Sequence, residues 1–490
     1  MWSCLSDGFW SLVADRNDPT PMMVRARREE HLVNYDMNPL RPQPQTVRTA
    51  YIVQGLAFGD EGKGAMVDYL CRAHDSPLVV RFNGGPQGTR NVVQPDGRHH
   101  GFRQFGSGMF IPAVRTFISK YVLIDPFSLM KEAEAMERKG IRSTQERLFI
   151  DPECLIVTPY HQYANRIQEL VRGVNRHGST GFGVGETRQD AQLWGTYIRV
   201  KDILSDAPAL GMLDDIRVHK LKQLREFWGV NKEADALLTE LSSEDPRRVA
   251  EFYRLFAQGI QPMTWAGMVE AFPDVSIVFE GSAGTLLDET HGFTPYVTPS
   301  NTTFDNALEL CDEAELSPVR IGVLRTHFTR HGAGPFVTED RALSFPDHNV
   351  RSKWQGELRF GHFDLVAARY AIKCCGGIDG LALTHLDCME SPFTYVDEYR
   401  DSHGFTSVLL KPDTRAMFET EPAGLKSEPV EDQAGLVRFI EQRLGCKVLY
   451  TSSGPTYLDK ANLQPATVQP VSAKAGVGEI PFTMPKQIAG

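Results

Sequence analysis

Short apolar segments that end in glycine-rich or polar turns alternate with helical segments along most of this 490-residue chain. The first strand is predicted at 51–53 and the last at 446–450. A helix is predicted at 126–139, where Pro126 lies in the first turn and Gly140 follows the end. This alternation is typical of parallel strands joined by crossover helices, with ligands bound beyond the carboxyl ends of the strands. The sequence therefore predicts an α/β fold with a large, mostly parallel central sheet.

The two ends of the chain differ in composition from this alternating region. Residues 1–48 mix Pro, Arg and Asn, and residues 463–490 are polar and rich in Pro, Ala and Gly. Segments of this kind have little apolar surface to bury, and chain ends are often poorly ordered. We therefore expect a loosely ordered N-terminal extension at 1–48, one catalytic domain at 49–462 and a polar C-terminal tail at 463–490.

The charge balance and the cysteine pattern restrict the class of protein. A net charge of −10 at pH 7 disfavours binding to polymeric nucleic acid, because proteins that bind it are usually basic. No apolar run approaches the roughly 20 residues that a membrane-spanning helix needs, and no signal-peptide pattern begins the sequence. The eight cysteines form no C-x-x-C pair, so we expect reduced thiols in a cytoplasmic protein.

The segment 59–64, Gly-Asp-Glu-Gly-Lys-Gly, carries the strongest chemical signal. It follows a predicted strand and precedes a predicted helix, the setting in which backbone N–H groups bind phosphate. An ordinary P-loop GTPase is disfavoured, because the pattern would need Gly at Ala57 and Ser or Thr at Gly64. Asp60 and Glu61 stand inside the loop, and a carboxylate beside phosphate is unfavourable unless it holds a metal or moves a proton. The loop therefore predicts phosphate chemistry with a catalytic acid.

Further polar or glycine-rich turns occur at 83–91, 178–185, 280–288, 295–303, 332–339, 384–387 and 452–455. Taken singly, such a segment is often only a tight turn, a surface loop or a helix cap. Asp387 ends one of them, and its carboxylate can accept hydrogen bonds from guanine N1–H and N2–H₂, donors that adenine lacks there. Together the turns predict a polar ligand site at the edge of the sheet.

Taken in order, these turns resemble those of the adenylosuccinate synthetase family over residues 50–460. The resemblance implies that family's P-loop-NTPase-like fold and a ligase that depends on GTP and Mg²⁺. Such a ligase phosphorylates the 6-carbonyl of IMP or a related purine nucleotide and couples it to an amino acid amine, aspartate in the family. The resemblance also implies a homodimer that acts in purine biosynthesis.

The resemblance further implies roles for residues of the first two turns. Asp60 is expected to take the N1 proton of the purine and to bind Mg²⁺, with a backbone carbonyl near Thr89 as a further ligand. Lys63 and the loop amides are expected to neutralise the phosphoryl group during transfer. The predicted catalytic set is completed by Arg90.

A larger set of residues is expected to bind the two nucleotides: Gly59, Glu61, Gly62, Gly64, Gln87, Thr180, Thr298, Asp387, Ser452 and Gly454. Thr180 and Thr298 match family positions that hold the purine nucleotide. Asp387 and Gly454 match positions around the guanine of GTP.

Four positions depart from the family's motifs. Arg90 stands where the family has a catalytic histidine, and arginine can stabilise phosphoryl charge but cannot act as a neutral acid or base near pH 7. Gln87 replaces a phosphate-binding asparagine, and Ala283 replaces a glutamine that contacts the purine nucleotide. His385 replaces a lysine beside the guanine site, which leaves GTP and ATP both open.

The largest departure lies before Gly361, where the family has an arginine-rich segment that binds the carboxylates of aspartate. Here only Arg359 and Gly361 stay in register. Two carboxylates need at least two well-placed cations. Arg359 and Lys353 are the predicted amino-acid-binding residues, with Arg351 or Arg330 as substitutes. The amine donor is left open.

These departures leave two functions open. One is a specialised ligase of the family, acting on IMP, a modified purine or a deoxynucleotide. The other is a catalytically altered purine-nucleotide sensor on the same scaffold, motivated by Arg90 and the lost arginine segment. Retention of Asp60, Lys63 and the surrounding glycines favours the ligase. A phage branch of the family acts on dGMP and replaces the catalytic aspartate by serine, so Asp60 counts against simple membership there.

Overall fold

The computed structural model describes residues 48–205, 209–227, 231–348, 353–401, 404–407, 409 and 413–464, together with the backbone of 2–5, 8–14 and 22–26. The chain divides into two units, Met1–Val47 and Arg48–Gly490. The first unit contains the backbone of three antiparallel strands in a sheet of their own. Most residues of the predicted extension at 1–48 and of the predicted tail at 463–490 lie outside the described residues, and both stay predictions.

The strands are β1 (Trp2–Leu5), β2 (Gly8–Ala14), β3 (Met22–Ala26), β4 (Thr49–Gly55), β5 (Leu78–Arg81), β6 (Arg90–Val93), β7 (His99–Phe102), β8 (Arg115–Ile118), β9 (Leu123–Ile124), β10 (Leu148–Ile150), β11 (Leu155–Ile156), β12 (Gln261–Pro262), β13 (Ile277–Gly284), β14 (Ser317–Arg325), β15 (Phe328–His331), β16 (Leu358–Gly361), β17 (Phe363–Asp364), β18 (Gly380–Thr384), β19 (Phe393–Val396), β20 (Tyr399–Asp401), β21 (Gly404–Thr406), β22 (Glu421–Pro422), β23 (Lys426–Glu428), β24 (Val448–Ser452) and β25 (Lys460–Asn462). The α-helices are α1 (Lys63–Ala73), α2 (Pro126–Arg138), α3 (Pro159–Arg172), α4 (Val184–Gln189), α5 (Val200–Ile203), α6 (Ala209–Glu226), α7 (Lys232–Ser243), α8 (Pro246–Gly259), α9 (Trp265–Ala271), α10 (Asp305–Glu313), α11 (Leu365–Cys374), α12 (Thr414–Glu419) and α13 (Gln433–Leu444).

The central sheet of Arg48–Gly490 has the strand order β12-β10-β8-β5-β13-β4-β14-β18-β24-β25. Each neighbouring pair is parallel except β24 and β25, which are antiparallel. Strand β4 lies between β13 and β14, and its residues from Ala50 to Gly55 are buried. A parallel strand that is covered on both faces lacks the regular alternation of apolar and polar residues found in a half-exposed strand, and β4 lacks it for this reason. The predicted large, mostly parallel α/β sheet is confirmed.

Side chains of β4 enter apolar clusters on opposite faces of the sheet. Ile52 packs in one cluster with Phe279, whereas Val53 packs in another with Val278. This alternation follows from the period of two residues along a strand. Because β4, β5, β13, β14 and β18 run in one direction, their carboxyl ends share one edge. The polar turns that follow these strands therefore gather at that edge.

Helix boundaries follow local signals in the sequence. Helix α2 begins after Asp125, whose side chain accepts a hydrogen bond from the Phe127 N–H at 3.1 Å, and Pro126 lies in its first turn. Gly140, just past its end, has a φ of +81°, a left-handed conformation that suits glycine. The prediction of a helix at 126–139 is confirmed to within one residue.

The cysteines of the described residues are free thiols. Burial raises the pKa of the Cys71, Cys154 and Cys311 thiols, which disfavours the reactive thiolate. In the part of the chain that the structure describes, no helix is both long and apolar enough to cross a bilayer.

Candidate active site

The loop between β4 and α1 places Asp60 at its tip. Gly59 and Gly62 have φ values of +96° and +92°, and Asp60 itself has a φ of +62°. A non-glycine residue in this left-handed region is uncommon and strained. Lys63 is the first residue of α1, and Gly62 caps that helix. The surrounding structure therefore holds the Asp60 side chain in an unusual position that the local sequence would not favour by itself.

The side chain of Glu61 bonds to other residues of this loop. Its Oε1 atom accepts hydrogen bonds from the backbone N–H groups of Ala57 (3.0 Å) and Gly59 (2.8 Å), and its Oε2 atom pairs with Lys63 Nζ. The Glu61 side chain is buried. Two loop amides and the lysine charge are thus satisfied by a carboxylate of the protein itself, which explains how an acid is tolerated inside a phosphate-type loop.

Asp60 is surrounded by positive charge. Its Oδ2 atom lies 3.6 Å from Nδ1 of His331, and Arg325 donates to its backbone carbonyl. Arg325 is held in turn by Asp347, at 2.9 Å. Burial raises the pKa of Asp60, but the interaction with the nearby His331, with the charges of Arg325 and Lys63, outweighs it and lowers the pKa below its usual value. The carboxylate is therefore ionised at neutral pH and ready to accept a proton or bind a cation.

The guanidinium of Arg90 contacts buried groups of the protein. Its Nε lies 3.5 Å from Oε1 of Glu280, one terminal nitrogen donates to Ser282 Oγ at 3.3 Å, and the other donates to the Arg103 carbonyl. Glu280 also accepts from the backbone N–H of Ser107 at 2.9 Å. Burial lowers the pKa of Arg90. Arg90 therefore acts first as part of a buried charge cluster, and among the described residues no hydrogen bond or ion pair joins it to Asp60.

Two cavities meet at the predicted catalytic residues. The small cavity, of about 290 Å³, and the large cavity, of about 680 Å³, share a wall. Among the residues that line both are Asp60, Lys63, Thr89 and Arg90. Groups bound in the two cavities would therefore face each other across the loop of Asp60.

The structure divides the predicted nucleotide-binding residues between these cavities. The small cavity is lined by Glu61, Gly62, Gly64, Asp387, Ser452 and Gly454. The large cavity is lined by Gly59, Gln87, Thr180 and Thr298. Gln87 Nε2 donates to Thr298 Oγ1 at 3.4 Å, and the Asp387 side chain is exposed. All ten predicted residues thus line one cavity or the other, although their role in binding stays a prediction.

Comparison with known proteins decides the family. The family model described as adenylosuccinate synthetase matches residues 52–396. The adenylosuccinate synthetase of Gloeothece citriformis is 34% identical over 359 residues, which cover 69% of this chain and 74% of that protein. This chain belongs to the adenylosuccinate synthetase family. Members of this family are C–N ligases of purine biosynthesis, and this chain is one of them. The family match confirms the resemblance seen in the sequence.

Solved structures support the same fold. The fully ligated adenylosuccinate synthetase of Plasmodium falciparum superposes with a TM-score of 0.68 at 20% identity, covering 86% of this chain and all of that one. The succinoaminodeoxyadenylate synthetase of cyanophage S-2L, bound to dGMP and to dATP as an energy donor, gives a TM-score of 0.56 at 15% identity. That match covers 85% of this chain and 95% of the phage chain. The adenylosuccinate synthetase fold is therefore shared despite low identity.

Two residues predicted to bind the amino acid lie elsewhere. Lys353 pairs with Glu233 on an exposed surface, and Arg359 Nη1 lies 2.7 Å from Glu339 Oε2. Neither residue lines the large or the small cavity. A cation already paired with a carboxylate gains less from a second one. The structure thus does not bring Lys353 and Arg359 to the site, and their assignment stays a prediction.

The two substitutes considered for them differ in position. Arg330 lines the large cavity, but it is buried and its guanidinium donates to the carbonyls of Pro335 (2.8 Å) and Tyr296 (3.1 Å). It also lies over the Phe58 ring, 4.3 Å from the centroid. Arg330 therefore fixes the 332–335 turn. Arg351 lies outside the described residues.

Sequence reasoning missed three residues of the site. Arg325 ends β14 and reaches the Asp60 loop, His331 ends β15 beside Asp60, and His348 lines both cavities. The position of Arg325 at the carboxyl end of a parallel strand is a signal that could have found it. His331 precedes the glycine-rich turn 332–334, but nothing local indicates which loop it faces.

Proposed function

We propose that this protein is a ligase that uses GTP to phosphorylate the 6-carbonyl of IMP or a related purine nucleotide and then joins it to an amino acid amine. Aspartate is the amine donor suggested by the family. The observation that carries the proposal is the shared wall of the two cavities, formed by Asp60, Lys63, Thr89 and Arg90. A phosphoryl donor in one cavity and its acceptor in the other would meet at these residues.

The assignment of the nucleotides follows from the linings. We place GTP in the small cavity, where Asp387 offers carboxylate oxygens to guanine N1–H and N2–H₂. We place the purine substrate in the large cavity, with Thr180 and Thr298 as its hydroxyl partners. A cytoplasmic homodimer is part of the proposal, and the resemblance to the family supports it.

In the first step Asp60 takes the N1 proton of the purine. Electron density moves to O6, which attacks the γ-phosphorus, and the bond from that phosphorus to the β-bridging oxygen breaks to release GDP. The lowered pKa of Asp60 keeps the base ionised before the transfer. Lys63 stands at the start of α1 and pairs with Glu61, so its charge would join the helix N-terminus in favouring the transferring phosphoryl group once it moves from Glu61 to the phosphate.

In the second step the amine attacks C6 of the phosphorylated purine. The C6–N bond forms, the C6–O6 bond breaks, phosphate leaves and the nitrogen loses a proton. Phosphorylation is needed because a carbonyl oxygen is a poor leaving group.

The residues present fit Mg²⁺ as a cofactor. Asp60 and Thr89 both line the shared wall, and a carboxylate and a backbone carbonyl are the hard oxygen donors that Mg²⁺ prefers. Among the described residues no group of three or more His, Cys, Asp and Glu side chains forms a metal cluster. Mg²⁺ in nucleotide enzymes commonly has one or two carboxylates plus phosphate oxygens, so Asp60 and Thr89 would hold it, and it would supply charge to the phosphates.

Phosphate release tests the proposal. Wild-type protein is assayed with GTP and Mg²⁺, each of IMP, GMP and dGMP, and a panel of amino acids, with product masses determined. We expect release that requires both a purine nucleotide and an amine. The absence of nucleotide-dependent release with every pair would refute the ligase.

The role of Asp60 is tested by Asp60→Asn. The variant keeps the side-chain size but loses the base, so kcat is expected to fall by about 10²- to 10⁴-fold. The Kd of GTP, measured by titration calorimetry, is expected to change far less. Unchanged turnover would contradict the proposed role.

A nucleotide sensor is the second candidate. Arg90 contacts Glu280, Ser282 and the Arg103 carbonyl, so the position of the family's catalytic histidine supplies no acid or base here. This observation favours a sensor. A sensor would bind both nucleotides in calorimetry and release no phosphate with any amine, so the same assays separate the two functions.

A further inference from the structure

A histidine from a distant strand lies beside the Asp60 carboxylate. Nδ1 of His331 lies 3.6 Å from Oδ2 of Asp60. His331 ends β15, whose pairing with β16 sets it opposite Leu358. The His331 side chain lines the large cavity and is only 11% exposed. A residue fixed by a strand pair and by burial has little freedom to turn away from Asp60.

The environment of the imidazole selects one tautomer. Nε2 of His331 is buried and, among the described residues, has no hydrogen-bond partner. A hydrogen on Nε2 would be a buried donor without an acceptor, which is unfavourable. The proton therefore belongs on Nδ1, which faces the Asp60 carboxylate. A distance of 3.6 Å is longer than a hydrogen bond, and catalytic contacts of this kind often shorten when substrate binds.

Two contacts would then fix Asp60 from different sides. Arg325 holds its backbone carbonyl, and His331 faces its carboxylate. Arg90, at the position of the family's catalytic histidine, is held by Glu280 and Ser282 instead. The site thus has a histidine next to the base, although not at the expected place in the sequence.

We propose that His331 is a positioning residue of the reaction, which orients the Asp60 carboxylate through an Nδ1–H donor toward the purine. The proposal rests on the proposed function, because it takes Asp60 as the base. Orientation of a bound base affects the chemical step more than the binding of either nucleotide. The effect of losing His331 therefore belongs in kcat and not in KM.

Three substitutions distinguish which nitrogen acts. His331→Asn keeps an N–H near the position of Nδ1, His331→Gln places one near Nε2, and His331→Val has none. We expect kcat of His331→Asn to stay within about fivefold of wild type, and kcat of the other two to fall by about 10- to 100-fold. KM for both nucleotides is expected to stay within about twofold.

A matched control removes another histidine–aspartate pair. His362 Nε2 lies 3.1 Å from Asp340 Oδ2, and neither residue lines the two cavities. His362→Val is expected to leave kcat unchanged. Melting temperatures of all variants separate loss of folded protein from loss of chemistry.

A second measurement does not depend on activity. The ¹⁵N spectrum of histidine-labelled protein, with the His331 signals identified by their loss in His331→Asn, reports the tautomer. We expect Nδ1–H, and a change of these signals in Asp60→Asn. Equal kcat in the three His331 variants, a rise in KM alone, retention of activity only by His331→Gln, or an Nε2–H signal would overturn the proposal. If wild-type protein releases no phosphate, the proposed function fails, and the spectrum alone then decides whether His331 donates to Asp60.

Discussion

A carboxylate buried between two arginines lies behind the shared wall. Glu280 Oε1 is 3.5 Å from Arg90 Nε, and its Oε2 is 4.0 Å from Arg81 Nε. All three side chains are almost completely buried. Burial lowers the pKa of Arg81 to about 9, with the nearby charge of Arg90 acting in the same direction. Such a cluster is stable only while its charges compensate each other.

Glu280→Gln tests this dependence. Without the carboxylate, Arg81 and Arg90 lose the buried negative charge that contacts both, so the free energy of unfolding should fall by about 3 to 5 kcal/mol. Denaturant unfolding measures the loss. The control is Glu309→Gln, an exposed carboxylate 3.5 Å from Lys120, which should change stability by about 0.5 kcal/mol at most. Equal stability of the two variants would contradict the role of the cluster.

At the scale of elements, one buried cap joins helix α11 to strand β20. Asp364 caps the helix, since its Oδ1 accepts from the Ala367 N–H at 2.9 Å. Its Oδ2 accepts from the Tyr399 hydroxyl at 2.5 Å. Burial raises the pKa of Asp364 to about 6, because these hydrogen bonds do not fully offset the loss of hydration.

This raised pKa predicts a pH-dependent stability. The folded-state pKa of Asp364 lies above its unfolded value of about 3.9. The contribution of Asp364 to the free energy of unfolding is therefore fully present below pH 3.9 and is lost as pH rises through about 6. Asp364→Asn keeps a cap acceptor but cannot ionise. The variant should therefore gain about 2 to 3 kcal/mol relative to wild type between pH 4 and pH 7.5.

Unfolding free energies at pH 4, 6 and 7.5 check this expectation. Asp413→Asn serves as the control, because Asp413 caps α12 at an exposed position, its Oδ1 accepting from the Arg415 N–H at 2.8 Å. The difference in unfolding free energy between Asp413→Asn and wild type should stay nearly constant with pH. A constant difference for Asp364→Asn as well would show that ionisation of this cap does not affect folding.

At the scale of the whole molecule, the proposed function predicts that the two cavities bind two different ligands independently. Asp387 lines only the small cavity and Thr298 only the large one. A ligand at 100 times its Kd stabilises the folded state by about 2.7 kcal/mol. Each nucleotide should therefore raise the melting temperature by itself.

A pair of variants tests the assignment of the cavities. Asp387→Asn offers guanine one acceptor in place of two, so the stabilisation by GTP at that concentration should fall by about 1 to 2 kcal/mol while that by IMP is kept. Thr298→Val should lower the stabilisation by IMP and keep that by GTP, because it loses a hydroxyl of the large cavity. Melting curves with each nucleotide alone measure both effects. Loss of both responses in one variant would mean that the sites are not separate.

The sequence by itself determined the architecture and the loop. Strands, caps and turns depend on neighbouring residues: β4 reads as an apolar run, α2 begins at Asp125-Pro126, and the 59–64 turn shows its glycines and acids directly. These local signals were sufficient to predict the sheet, and the order of the turns was sufficient to predict the family. The ten residues that the resemblance assigns to nucleotide binding line the two cavities, and their role in binding stays a prediction.

Only the tertiary structure decided how the charges are paired. Arg90 bonds Ser282 across 192 positions of the chain, and Arg325 reaches Asp60 across 265. Lys353 and Arg359 pair with carboxylates away from the cavities, while His331 comes to lie beside Asp60. The energy of a charge depends on its burial and its nearest partner, and both are set by packing between segments far apart in the sequence.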